Sequence, residues 1–288
     1  MSAVDAPAAV PESRRGDGAL GVIPPSWTQA LLMSRYQFRD YLRSRRFILM
    51  MAIDAAILAI LISLVAHYRP PMLIGTGSAF FGSVWIGGVT ILIIFSAIIF
   101  GGDAIAGEFQ NKTGYYLMGL PIKRWSVYAG KYLAAFAASL VTITVYFIVL
   151  LFVGAYFVGG GAISAGVFES LALVALYLAA VLGTTFLFSS LFKTSMYGVI
   201  IVAIMFLFGF SLVEGLIVGL AQTTPWFIIT WASSSLSYPI TGLPATAGIA
   251  TRGIVTDPTF AQGIGVMLGY FFGTTLGGLA LFAREEFT

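Results

Sequence analysis

An all-α, polytopic membrane fold with six transmembrane helices is what this chain predicts, and three observations carry the prediction. Of its 288 residues, 59% are hydrophobic and only 9% are charged, whereas soluble domains carry about a quarter charged residues. The mean hydropathy is +0.95, so lipid is the solvent that such a surface suits. Stretches at 47–68, 80–100, 132–158, 168–191, 196–220 and 263–283 each approach or exceed the roughly 20 apolar residues that a helix needs to cross a bilayer.

Residues 1–25 contain no apolar run and are rich in Ala, Pro, Gly and charge, including Arg14, Arg15 and Asp17. That composition reads as a disordered cytoplasmic tail. The first long apolar run starts near Phe47 without a small-residue cleavage site after it, so no cleavable signal peptide is expected. The six-helix domain accordingly covers 26–288. It opens on 26–46, where Trp27, Leu31, Phe38 and Leu42 recur at helical spacing beside a stripe of Arg35, Arg39, Arg43 and Arg46. This is an amphipathic helix suited to the membrane interface, with its arginines reaching lipid phosphates.

The first span carries Asp54, the one acid well inside a span. An intramembrane carboxylate is a functional candidate by default, though a buried hydrogen bond explains it as well. After the second span comes a loop at 103–131, and the fourth and fifth spans are joined by the short link 193–195. The stretch 221–260 is too apolar at its start for a solvated loop and too broken to span. It reads as a re-entrant or interfacial element with Trp226 and Trp231 at headgroup level. The sixth span carries Gly265, Gly269, Gly273 and Gly277 at strict four-residue spacing, a face on which another helix backbone can approach closely.

Of the 15 Lys and Arg residues, only Arg69 and Arg252 fall on one side of these spans. The positive-inside rule therefore places both termini in the cytoplasm. The absence of Cys and the single His67 argue against thiolate chemistry and multi-histidine metal sites. A phosphate-binding loop needs a glycine directly before its Lys, and Gly107-Glu108-Phe109-Gln110-Asn111-Lys112-Thr113 lacks it. Phe100-Gly101-Gly102-Asp103 resembles the Gly-x-Gly-Asp element of intramembrane aspartyl proteases. Asp103, however, falls at the membrane edge, where a proton-sharing dyad with Asp54 is not expected.

The loop reads Gly107-Glu108-Phe109-Gln110-Asn111-Lys112-Thr113-Gly114-Tyr115-Tyr116-Leu117-Met118-Gly119-Leu120-Pro121-Ile122-Lys123-Arg124, then Gly130-Lys131. It resembles the segment after the second span of type-2 ABC transporter permeases, the exporter class. Glu108, Thr113, Pro121, Arg124, Gly130 and Lys131 match that pattern, while paired Tyr115-Tyr116 depart from it. The resemblance extends over nearly all of the chain after Pro25. It implies an N-terminal elbow helix at 26–46 and a coupling helix within 103–131. Glu108, Phe109, Lys112, Thr113, Tyr115, Leu117, Pro121 and Arg124 would then contact a separate ATPase.

On that reading the chain is a multi-pass subunit of the cytoplasmic membrane that joins a second permease copy or a related permease and two cytoplasmic ABC ATPases. ATP and magnesium belong to the partner, no cofactor is expected in this chain, and no nucleic acid is expected as a partner. The apolar spans lean towards an amphiphile, lipid or hydrophobic drug as substrate. The competing reading is a self-sufficient ion-coupled carrier working through Asp54, although such carriers usually contain internal repeats and none is visible.

Overall fold

The computed structural model describes residues 25–111, 122–244 and 257–284; all but Pro25 of the expected tail lies outside them. Every regular element among the described residues is helical. Helix α1 (Ser26–Arg43) is followed by α2 (Arg45–Tyr68). Helix α3 (Ile86–Gly101) continues a helical turn at Gly77–Phe80 and a π turn at Phe81–Trp85. A short helix, α4 (Ala106–Gln110), prolongs it. Then come α5 (Arg124–Phe157), α6 (Ala165–Leu191) and the run α7 (Ser195–Ala221). The short helices α8 (Ile229–Ser233) and α9 (Tyr238–Thr241) precede α10 (Phe260–Arg284).

Six runs are long and apolar enough to cross a membrane: Arg45–Tyr68, Gly77–Gln110, Arg124–Phe157, Ala165–Leu191, Ser195–Ala221 and Phe260–Arg284. They correspond in order to the six expected stretches, start earlier in every case and extend three of them at both ends. The largest differences are the second span, which runs on to Gln110, and α5, which begins at Arg124; both take in part of the expected loop. Lys123 is extended (φ −72, ψ 137) and stands at the N-cap position, where the helical backbone begins.

The second and fourth spans form the centre of the bundle. Large aromatics whose polar tips find partners, as buried Trp and Tyr require, tie these two spans to each other and to the third. Trp85 Nε1–H donates to Ser170 Oγ at 2.9 Å, Tyr146 Oη to the Val84 carbonyl at 3.0 Å, and Tyr132 Oη to the Ala179 carbonyl at 2.7 Å. The first, fifth and sixth spans are peripheral, exposing Ile60 and Leu64, Phe208 and Leu212, and Phe272 and Leu276. Apolar surface on this scale suits lipid or another helix.

Helix α1 folds back on the start of α5 at Gly130. A Cβ there would stand 2.8 Å from the Ala30 carbonyl and 2.7 Å from Met33 Cβ, so only glycine lets the two helices cross this closely. Ser126 Oγ also donates to the Ser26 carbonyl at 3.0 Å. Trp27 and Leu31 remain exposed on the free side. Between α1 and α2, Ser44 Oγ accepts from the Phe47 N–H at 3.3 Å and caps the new helix. That break assigns Arg46 to α2, whereas the sequence grouped it with the arginines of α1.

At the opposite end, the stretch expected to be re-entrant folds onto the bundle as α8, a 3-10 turn (Ser234–Ser237) and α9, burying Ile229, Ala232 and Leu236. Thr230 Oγ1 donates to Glu214 Oε2 at 2.8 Å and ties this arm to α7. Within the chain, almost nothing packs on the glycine stripe. A Cβ at Gly265, Gly269 or Gly273 meets nothing within 4 Å, and one at Gly277 only touches Leu187 Cδ1 at 3.4 Å. The first three instead floor an open apolar groove of about 630 Å³, walled by Trp226, Phe227 and Trp231.

Candidate functional site

Both ion pairs found among the described residues lie at the corner where α3 gives way to α4. The α-helical ladder breaks after Gly101, and the freed amides need acceptors. Ile105 and Ala106 N–H groups both donate to Ser189 Oγ on α6, at 3.1 and 3.2 Å. Tyr41 of α1 donates its hydroxyl to the Phe100 carbonyl at 3.0 Å. Burial first, and then the neighbouring Asp103 carboxylate, push the Tyr41 phenol above its ordinary range, so it stays a donor.

Two ion pairs flank this corner. Arg46 of α2 grips both oxygens of Asp103, at 2.6 and 2.5 Å, the bidentate geometry that a guanidinium fork favours. Ser195, the first residue of α7, donates its hydroxyl to Asp103 Oδ2 at 3.1 Å. On the other side, Lys131 of α5 reaches Glu108 of α4 at 2.5 Å and the Ala104 carbonyl at 3.0 Å. These two side chains are only 7% and 15% exposed. Between the pairs lies a small polar cavity of about 150 Å³, lined by Tyr41, Arg46, Asp103, Glu108, Asn111 and Lys131.

Helix α4 is held further by its apolar and amide side chains. Phe109 meets Phe282 of α10 edge-on at 6.3 Å between ring centres. Gln110 Oε1 accepts from the backbone N–H of Ser195 at 2.8 Å. Arg124 donates to the Ala283 carbonyl at 2.8 Å, a cation at the negative end of α10. A five-residue helix thus has direct bonds to α5 and α7 and a ring contact with α10, the turn before it is bonded to α2, α6 and α7, and the last turn of α3 is bonded to α1.

The sequence placed Glu108, Phe109 and Arg124 on a partner-facing loop. The structure turns the first two into the bundle and sets Arg124 on the end of α10. Lys112, Thr113, Tyr115, Leu117 and Pro121 lie outside the described residues. Arg35, Arg39 and Arg43 are exposed on α1, while Arg46 is engaged by Asp103. Sequence reasoning missed Asp103, Gln110, Ser189 and Ser195 as members of one site. An acid at the end of the second span and a base at the start of the first, both on the side of the termini, were the available signal.

Asp54 stands apart from this corner. Its side chain is buried, and Oδ1 has no hydrogen-bond partner among the described residues. No group of three or more His, Cys, Asp or Glu able to hold a metal ion occurs among those residues.

No curated protein matches the chain. The family described as ABC-2 family transporter protein matches residues 33–284, which takes in α2 to α10, most of α1 and the whole polar corner. The chain belongs to the ABC-2 family of transporter membrane proteins, as a permease subunit with six candidate membrane spans.

Proposed function

We propose that this permease works in an ATP-driven exporter, with α1 as the elbow helix and α4 as the anchored start of the coupling helix. A separate cytoplasmic ATPase binds the segment that follows Gln110. The observation that carries the reading is the bracing of α4. A terminal stub that merely faced solvent would need none of the buried pairing of Glu108 with Lys131. Bonded as it is, α4 delivers a push on the following segment into the bundle, where packed helices switch between discrete arrangements. Two permease copies, or this chain and a related one, enclose the pathway. The peripheral apolar faces of α2 and α7 supply surface for that pairing, and the apolar spans favour an amphiphilic substrate.

The test is purification of the tagged chain from its native membrane, followed by an ATP hydrolysis assay. The reading expects a co-purifying ATPase. Tyr115→Ala with Leu117→Ala should release it, since removing a central apolar anchor costs about 2 kcal/mol or more, roughly 30-fold in affinity. Asp54→Asn separates the alternative. A permease keeps ATP-dependent transport, whereas a proton-coupled carrier loses all of its transport and needs no ATPase at any stage.

A further inference from the structure

Helix α7 is joined to the rest of the chain in an unusual way. Its first turn is fastened to the α3–α4 corner by three separate contacts. The Ser195 N–H is held by Gln110 and the Ser195 hydroxyl by Asp103. One turn on, Gly198 lies against the corner's backbone, where an added Cβ would be 2.6 Å from the Gly102 carbonyl. A Cβ at Gly102 would in turn be 3.1 Å from Val199 Cα. These two backbones cross with no room for a side chain between them.

Beyond that turn, α7 is loosely packed. Val202 and Phe206 are its only buried residues after Gly198, while Ile204, Phe208, Leu212, Leu216 and Leu220 are exposed. Its helical ladder is interrupted by π turns at Met205–Gly209 and Ile217–Ala221, features that bend helices and often mark functional positions. The link from α6 to α7 is too short to add slack of its own. Its second half is tied to the arm by the Thr230–Glu214 bond, so motion of the pinned first turn is taken up along the compliant length between the two attachments.

We propose that Ser195, clasped by Gln110 of α4 and by Asp103, is the joint through which coupling motion is passed to the fifth span. Gln110 and Asp103 are its positioning residues, and Arg46 holds Asp103 in register. This rests on the reading of the chain as an ATP-driven permease. Motion of α4 carries the N-terminal turn of α7 with it through the Gln110–Ser195 bond, while the third and fourth spans stay fixed by their own packing. The fifth span is then the element that changes its tilt or bend between states.

The absence of cysteine makes the experiment direct. Leu207→Cys on α7 and, in a separate chain, Ile148→Cys on α5 are labelled with an environment-sensitive fluorophore. Both positions are exposed. The full permease–ATPase complex in nanodiscs is compared without nucleotide and trapped with ATP and vanadate. The proposal expects a nucleotide-dependent emission shift at Leu207→Cys well above that at Ile148→Cys. Adding Ser195→Ala and Gln110→Ala should reduce it to the Ile148→Cys level, with the ATPase still co-purifying. Restoring the acceptor and the hydroxyl with Gln110→Glu and Ser195→Thr should recover it, which a merely destabilised helix would not do. An undiminished shift in the Ala pair overturns the joint and leaves the permease reading standing. No shift at Leu207→Cys with the ATPase present likewise overturns the joint alone, whereas no ATPase in the unmutated complex overturns the permease reading and the joint together.

Discussion

Removing one partner of a nearly buried ion pair strands the other, and Glu108–Lys131 is the clearest case here. Lys131 would be left with only the Ala104 carbonyl, in a pocket where its side chain is 7% exposed. Loss of one member of a buried pair typically costs about 3–5 kcal/mol. Glu108→Gln or Lys131→Met should therefore lower the thermal unfolding temperature of the detergent-purified chain. The double variant should recover part of the loss, because contacting residues are not additive. Equal and additive effects would indicate that the pair contributes little. The same pair marks how far the sequence could be read at this scale. Glu108 and Lys131 were both recognisable in the loop pattern, but the pattern does not state that they bind each other. That depends on α5 starting at Arg124, which sets Lys131 two turns into a helix beside α4. Arg124 was legible as a matched position, whereas its partner, the Ala283 carbonyl, is 159 residues away and belongs to a helix end that no local pattern locates.

At the scale of elements, spans were legible because a membrane helix needs only length and apolar content. Helix contacts were not, because they depend on which face each neighbour presents. The glycines illustrate the difference. The regular stripe on α10 stands free within the chain at Gly265, Gly269 and Gly273, while irregularly placed glycines make the close crossings. Gly166 is the sharpest instance: a Cβ there would overlap the Pro239 carbonyl of α9, a backbone atom that cannot swing aside. Gly166→Ala should therefore loosen the arm formed by α8 and α9 and raise protease sensitivity near Gly242. Gly269→Leu should leave the folded chain as stable as the parent. If Gly269→Leu lowers only the oligomeric state, the groove on α10 is covered by another copy. If it lowers the stability of the isolated chain as well, the open groove described here closes in solution.

At the scale of the whole molecule, the charge pattern supplies an argument for orientation. The polar corner, the arginines of α1, Lys131 and Arg284 all gather at one end of the bundle, together with the starts of α1 and α5. The opposite end carries Arg69 at the close of α2, with the folded-back arm and its exposed Trp226 between the fifth and sixth spans. Basic residues near helix ends are retained on the cytoplasmic side, where anionic lipids attract them, and aromatic side chains settle at headgroup depth. With an even number of spans, we propose on this charge pattern that both termini lie in the cytoplasm and the arm lies outside. Gly242 is the natural reporter for the arm. It sits at the turn after α9 with φ +71, and a Cβ there meets nothing within 4 Å. In whole cells, Gly242→Cys should react with a membrane-impermeant maleimide, and epitope tags at Ser2 and Thr288 should be reached by antibody only after permeabilisation. Labelling of either terminus in intact cells would reverse the orientation. The polar corner would then face away from ATP, so the same measurement decides whether α4 can meet an ATPase at all.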